Sequence, residues 1–187
     1  MSDSNPTTLN LASVLDQHLI RGPARTAIVS GDTRLTYAQL GAMSSQVAGG
    51  LVAIGIRPGD CVALMCPNLP YFAMAYFGIL KVGAVVVPLN VLLRPREIAY
   101  HLRDCDCKAI LCFEGTSELP MAQMAKAGID VVTSCEDLIV MTIDPAATKS
   151  PIDGARTLAQ LMHRQPTEFE TQAVAADDTA VMLYTSG

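Results

Sequence analysis

This sequence predicts an α/β fold, a largely parallel sheet flanked by helices, on three observations. Between residues 60 and 133, short apolar runs alternate with segments of helical periodicity, the pattern of successive strand–helix units. The runs Cys61-Val-Ala-Leu-Met-Cys66, Ala84-Val-Val-Val87 and Lys108-Ala-Ile-Leu-Cys-Phe113 are continuously apolar rather than alternating, as strands covered on both faces must be. Half of the 187 residues are hydrophobic and 17% are charged, so the chain can bury a core and is no disordered tail.

In order, residues 9–20 place Leu11, Val14, Leu15, His18 and Leu19 at helical spacing, with Asn10 as the expected N-cap and Gly22-Pro23 as the stop. Residues 26–37 read as a hairpin turning at Gly31-Asp32, a pair that tolerates positive φ. Thr36 and Gln39 have capping-box spacing. They open a helix whose stripe is Leu40, Met43, Val47, Leu51 and Ile54, and Gly55 suits its end. Arg57-Pro-Gly-Asp60 is a turn into the first buried strand. A helix from Pro70 to about Lys81 and a strand at residues 84–87 follow. Pro95 can open the next helix, carrying Ile98, His101 and Leu102. Its charges, Arg94, Arg96, Glu97, Arg103 and Asp104, read as a solvated face. After the strand at 108–113 come a helix near 118–127 and a strand Val131-Val-Thr133. Residues 142–156, rich in Pro, Ala, Thr and Gly, read as a loop within the same domain, before a short helix from Leu158 to His163. No repeat and no second domain is evident.

Composition narrows the function classes. The net charge of −5, the absence of Trp and the 5% aromatic content argue against nucleic-acid binding. Residues 69–89 are apolar enough to suggest a membrane span. Lys81, Gly78, Gly83 and Pro88 break them into a helix and a strand, so no span is expected. The six cysteines have no paired Cys-x-x-Cys spacing, and no histidine cluster accompanies them. Free thiols in a cytoplasmic protein without a metal site are the expectation, with Cys105-Asp-Cys107 as the weaker metal or redox reading. The amino terminus has no basic start and apolar run of a signal peptide.

The last stretch carries the candidate chemistry. Residues 180–184 read as a short apolar strand running into Thr185-Ser-Gly187. Two hydroxyls and a glycine after such a strand suit a phosphate-cradling loop, because glycine lets main-chain N–H groups approach an anion. Thr185, Ser186 and Gly187 are the candidate phosphate-binding residues. Asp177-Asp178 looks like a metal pair, but neighbours on a strand point to opposite faces, and a solvated strand start is favoured. Neither Gly-x-Gly-x-x-Gly nor Gly-x-x-x-x-Gly-Lys-[Ser/Thr] occurs.

Four stretches together resemble the amino-terminal part of an adenylate-forming enzyme of the acyl-CoA synthetase family. They are Leu35-Thr-Tyr-Ala-Gln-Leu40, Gly55-Ile-Arg-Pro-Gly-Asp60, Leu80-Lys-Val-Gly-Ala-Val-Val-Val-Pro-Leu-Asn90 and Tyr184-Thr-Ser-Gly187. Their order and spacing resemble the family over nearly the whole chain. The Pro-Leu-Asn and Arg-Pro-x-Glu-Ile context is more similar to fatty-acyl-CoA ligases than to peptide-synthetase modules.

The resemblance implies residues 1–187 of a larger AMP-binding domain, cut inside its phosphate loop. It implies a ligase using ATP, Mg²⁺ and CoA to activate a carboxylic, in particular a fatty, acid as an acyl-adenylate and pass it to CoA. It further implies that Thr185, Ser186 and Gly187 lie beside the β- and γ-phosphates. No catalytic residue falls within the 187, so the segment alone is expected to be inactive. The competing reading is a short binding or dimerisation module of the same fold. A homodimer is also compatible with an apolar sheet face left exposed.

Overall fold

The structure, a computed structural model, describes residues 9–185. A helix α1 (Ser13–Arg21) precedes a hairpin of β1 (Thr26–Ser30) and β2 (Thr33–Thr36), and the long helix α2 (Tyr37–Ala53) follows. The main sheet is built by β3 (Cys61–Met65), α3 (Pro70–Lys81), β4 (Val85–Pro88), α4 (Pro95–Asp104), β5 (Ala109–Phe113), α5 (Met121–Ile129), β6 (Asp137–Met141) and the two-residue β7 (Arg156–Thr157). A short α6 (Leu158–Met162) packs back against α2. The sheet has five parallel strands in the order β4-β3-β5-β6-β7.

The continuous apolar strands are buried on both sides, as expected. Val62, Leu64, Val86, Leu111 and Ile139 face a core shared with α1, α2, α3 and α6. Their neighbours Ala63, Met65, Val87, Ile110 and Val140 face a second core shared with α4 and α5. Successive side chains on a strand point to opposite faces, so one apolar run supplies both cores. From β3 to β4 the chain steps one way along the sheet over α3; from β4 to β5 it steps back past β3 over α4. Connections of one hand then require α3 and α4 to lie on opposite faces, and they do.

Local signals set most boundaries. Thr36 Oγ1 accepts from Gln39 N at 3.2 Å and Gln39 Oε1 accepts from Thr36 N at 2.9 Å, forming the expected capping box of α2. In the Arg57–Asp60 turn, Arg57 N donates to Asp60 Oδ2 at 2.8 Å, and Gly59 takes a φ of +85°, which favours glycine. The apolar stretch 69–89 divides into α3 and β4. Among the described residues no helix is long and apolar enough to cross a membrane. Residues 143–155 contain neither helix nor strand.

Three expectations need correction. Asn10 does not cap α1, which starts after Ala12. Asn10 is buried, and its amide donates to Leu80 O at 2.7 Å and Gln172 O at 2.9 Å, so it ties three distant segments together instead. The strand placed at residues 131–133 forms at Asp137–Met141, with residues 130–136 as the connection. Asp137–Met141 offers five consecutive positions in register with Ala109–Phe113, whereas Val131 is 59% exposed. Residues 180–184 are not a full strand. They pair with β4 in parallel through one residue pair, Val86 with Val181, and Leu183 is 69% exposed.

Candidate functional site

The candidate loop is approached along the outer edge of β4. Val86 N donates to Ala180 O at 3.0 Å and Met182 N donates to Val86 O at 2.9 Å. These two bonds align residues 180–182 with β4, and the chain then runs toward the carboxyl ends of the parallel strands. That end is where open α/β sheets bind ligands. Thr185 follows three residues after Met182 and is exposed. Ser186 and Gly187, the other two candidates, lie outside the described residues.

The residue before Thr185 is held by α4. The Tyr184 hydroxyl donates to Asp104 Oδ2 at 2.8 Å. The Tyr184 ring lies against His101, with centroids 4.2 Å apart and planes inclined by 39°, and His101 also meets Tyr100 edge-on at 5.4 Å. Burial lowers the His101 pKa, against the opposing pull of Asp104 and Glu97. Burial likewise raises the Tyr184 phenol, and the Asp104 carboxylate adds to it. Both groups are thus held in their neutral forms. Sequence reasoning read the α4 charges as a solvated face. Asp104 is exposed, yet it partners the residue beside the loop. Residues 104 and 184 are 80 positions apart, and no local signal links them.

A second polar cluster escaped the sequence reading. Lys81 is buried at 2% exposure, and its Nζ donates to Asp16 Oδ1 at 2.6 Å and Thr171 Oγ1 at 3.1 Å. Thr171 in turn donates to Asp16 Oδ2 at 2.7 Å. This cluster ties α1 and the end of α3 to the segment that leads toward residue 180.

All six cysteines are buried free thiols. Burial pushes Cys61 up to about 11 and Cys66 up to about 12. Cys105 is also raised, first by its contact with Cys107 and then by burial. Thiols in this state are poor nucleophiles and poor metal ligands. Among the described residues no three His, Cys, Asp or Glu side chains converge on a point that could hold a metal ion. Asp177 and Asp178 are both exposed, and Asp178 Oδ2 accepts from Ala175 N at 2.8 Å, closing a turn. The described residues therefore do not fit a magnesium site.

Two cavities flank the sheet. One, of about 580 Å³, is lined by Asn10, Gly59, Gly83, Val174 and Asp178 at the amino end of β4, away from Thr185. Another, of about 450 Å³, lies at the carboxyl ends of β5 and β6, between Glu114, Thr142, Asp144 and Lys149. There the Tyr71 hydroxyl donates to Thr142 O at 2.9 Å, and burial raises that phenol to about 12.

The chain is similar to proteins of one chemical class. It is 32% identical over 180 residues to a long-chain-fatty-acid–CoA ligase of Mycobacterium tuberculosis, covering 95% of this chain and 33% of that one. It is 29% identical over 163 residues to a 3-hydroxybenzoate–CoA/4-hydroxybenzoate–CoA ligase of Thauera aromatica, covering 87% and 29%. Among solved structures, an anthranilate–CoA ligase in complex with anthranoyl-AMP superposes with a TM-score of 0.86 at 26% identity, over 100% of this chain and 34% of that one. The chain thus spans about a third of the length of the relatives it matches. A family model described as AMP-binding enzyme matches residues 15–187, from within α1 to the candidate loop, and to that family this chain belongs.

Proposed function

We propose that this chain is the amino-terminal part of an ATP-dependent acyl-CoA ligase acting on a carboxylic acid of the fatty-acyl class. The observation that carries the reading is the parallel alignment of residues 180–182 with the outer edge of β4, leading into the exposed Thr185, a second hydroxyl and a glycine. A loop so placed can donate hydroxyl and main-chain hydrogen bonds to the β- and γ-phosphates. An acid carboxylate attacks the α-phosphorus of ATP, and pyrophosphate leaves. The CoA thiol then attacks the acyl carbonyl, and AMP leaves. In the first step, the role of Thr185, Ser186 and Gly187 is to hold the departing pyrophosphate and share its charge. Magnesium, bound with the nucleotide as part of the substrate, would neutralise phosphate charge, and none of the described residues is assigned to hold it.

The fatty-acyl assignment is supported by Pro88-Leu-Asn90 and Arg94-Pro-x-Glu-Ile98 and by similarity to the mycobacterial enzyme. Six free thiols support a cytoplasmic setting. The 187 residues alone should be inactive, since they span only about a third of the ligases they match.

Pyrophosphate release by the full-length protein, assayed over a panel of carboxylic acids, tests the reading. Fatty acids should support release. Ser186→Ala should lower the adenylation rate about ten- to a hundredfold, the worth of one hydrogen bond to a charged group. An unchanged rate in the variant would place the phosphate site elsewhere.

A further inference from the structure

We propose that Asp104 and His101, on α4, are positioning residues for nucleotide binding: through Tyr184 they fix the main chain that enters the phosphate loop. The inference rests on the function proposed above and adds a part of the machinery distant in sequence from the loop.

Between the last hydrogen bond to β4, at Met182, and Thr185 the main chain has no partner in the sheet. Leu183 is 69% exposed and contributes little packing. The side chain of Tyr184 is therefore the contact that fixes the direction of the chain as it reaches Thr185. Its hydroxyl is bonded to Asp104 and its ring covers His101. A phosphate loop works by holding donors in place before the anion arrives, and freeing one residue of main chain weakens such a site about tenfold.

The placement of Asp104 argues against a role in its own helix. It is the last residue of α4, where a carboxylate meets the negative end of the helix dipole. Exposed and electrostatically misplaced for helix stability, it nonetheless accepts the hydrogen bond from Tyr184. His101 presents an uncharged ring to the tyrosine, consistent with the burial that disfavours its imidazolium form.

In the full-length protein, Asp104→Ala and Tyr184→Phe should each raise the KM for ATP about tenfold in the pyrophosphate-releasing half-reaction. Thioester formation from supplied acyl-adenylate and CoA should keep its wild-type kcat. Asp104→Asn, whose amide oxygen still accepts from the phenol, should restore the KM for ATP. The double variant should be no worse than either single one, because both remove the same bond. His101→Ala should raise the same KM without slowing thioester formation. Two results overturn the proposal: a KM for ATP within twofold of wild type in Asp104→Ala and Tyr184→Phe, or equal losses in both half-reactions with a lowered melting temperature. A wild-type protein that releases no pyrophosphate with any acid overturns the function proposed above and this inference with it. The wild-type measurement thus tells the two failures apart.

Discussion

Lys81 carries its ammonium into the core between α1 and α3, and the energetics there turn on the one charged acceptor of the two it meets. Asp16 is the carboxylate that meets it, at 2.6 Å, while retaining 34% side-chain exposure. Removing Asp16 alone strands a buried charge; replacing Lys81 with an apolar side chain removes the charge and its desolvation cost together. Asp16→Ala should therefore destabilise by roughly 3 kcal/mol, near the lower limit for a broken buried pair because Asp16 is partly solvated. Lys81→Met should cost clearly less. Urea unfolding of the two variants checks the order, and an Asp16→Ala protein as stable as Lys81→Met would refute it. The sequence displayed Lys81 only as an interruption in an apolar stretch. Its partner lies 65 residues away, and only the packing of α1 on α3 brings the two together.

At the scale of elements, α2 and α3 form a close helix pair, and Gly78 is what lets them approach. A Cβ at that position would lie 2.6 Å from Val47 Cγ1 and 2.7 Å from Val47 Cβ. Gly→Ala in an exposed helix ordinarily gains up to about 1 kcal/mol. Here the colliding atoms belong to a stiff β-branched side chain that is itself fully buried. Gly78→Ala should thus destabilise by about 1–3 kcal/mol; a rise in stability on chemical denaturation would show that α2 can slide away at little cost.

Elements with local causes were legible in the sequence. The capping box at Thr36 and Gln39, proline at the start of α4 and the continuous apolar strands all have their reasons within a few residues. Elements fixed by a partner were not. The two valines at 131–132 have strand propensity, yet β6 forms where five residues match β5 in register. Thr185 could be read as a candidate from its neighbours, but the hold of Asp104 on Tyr184 could not.

For the whole molecule, both faces of the sheet are sealed, and the cysteines are sealed with them. Burial shields all six thiols from reagent, and the raised pKa values of Cys61 and Cys66 leave those two little thiolate at pH 8, so native protein should alkylate slowly. After denaturation without reductant all six should label, as peptide mass mapping would record; a disulfide among them would count against a cytoplasmic setting. The same architecture has a consequence for synthesis. Strands β3 to β6 lie within residues 61–141, so a ribosome finishes them before it reaches Val181. The contacts of Thr171 and Gln172 with Lys81 and of Val181 with Val86 close spans of about 90 residues, and such long closures cost entropy that only these late contacts repay. The scaffold is therefore committed while the nascent chain is still being made, and the segment that reaches for nucleotide is added afterwards, to an edge already built to receive it.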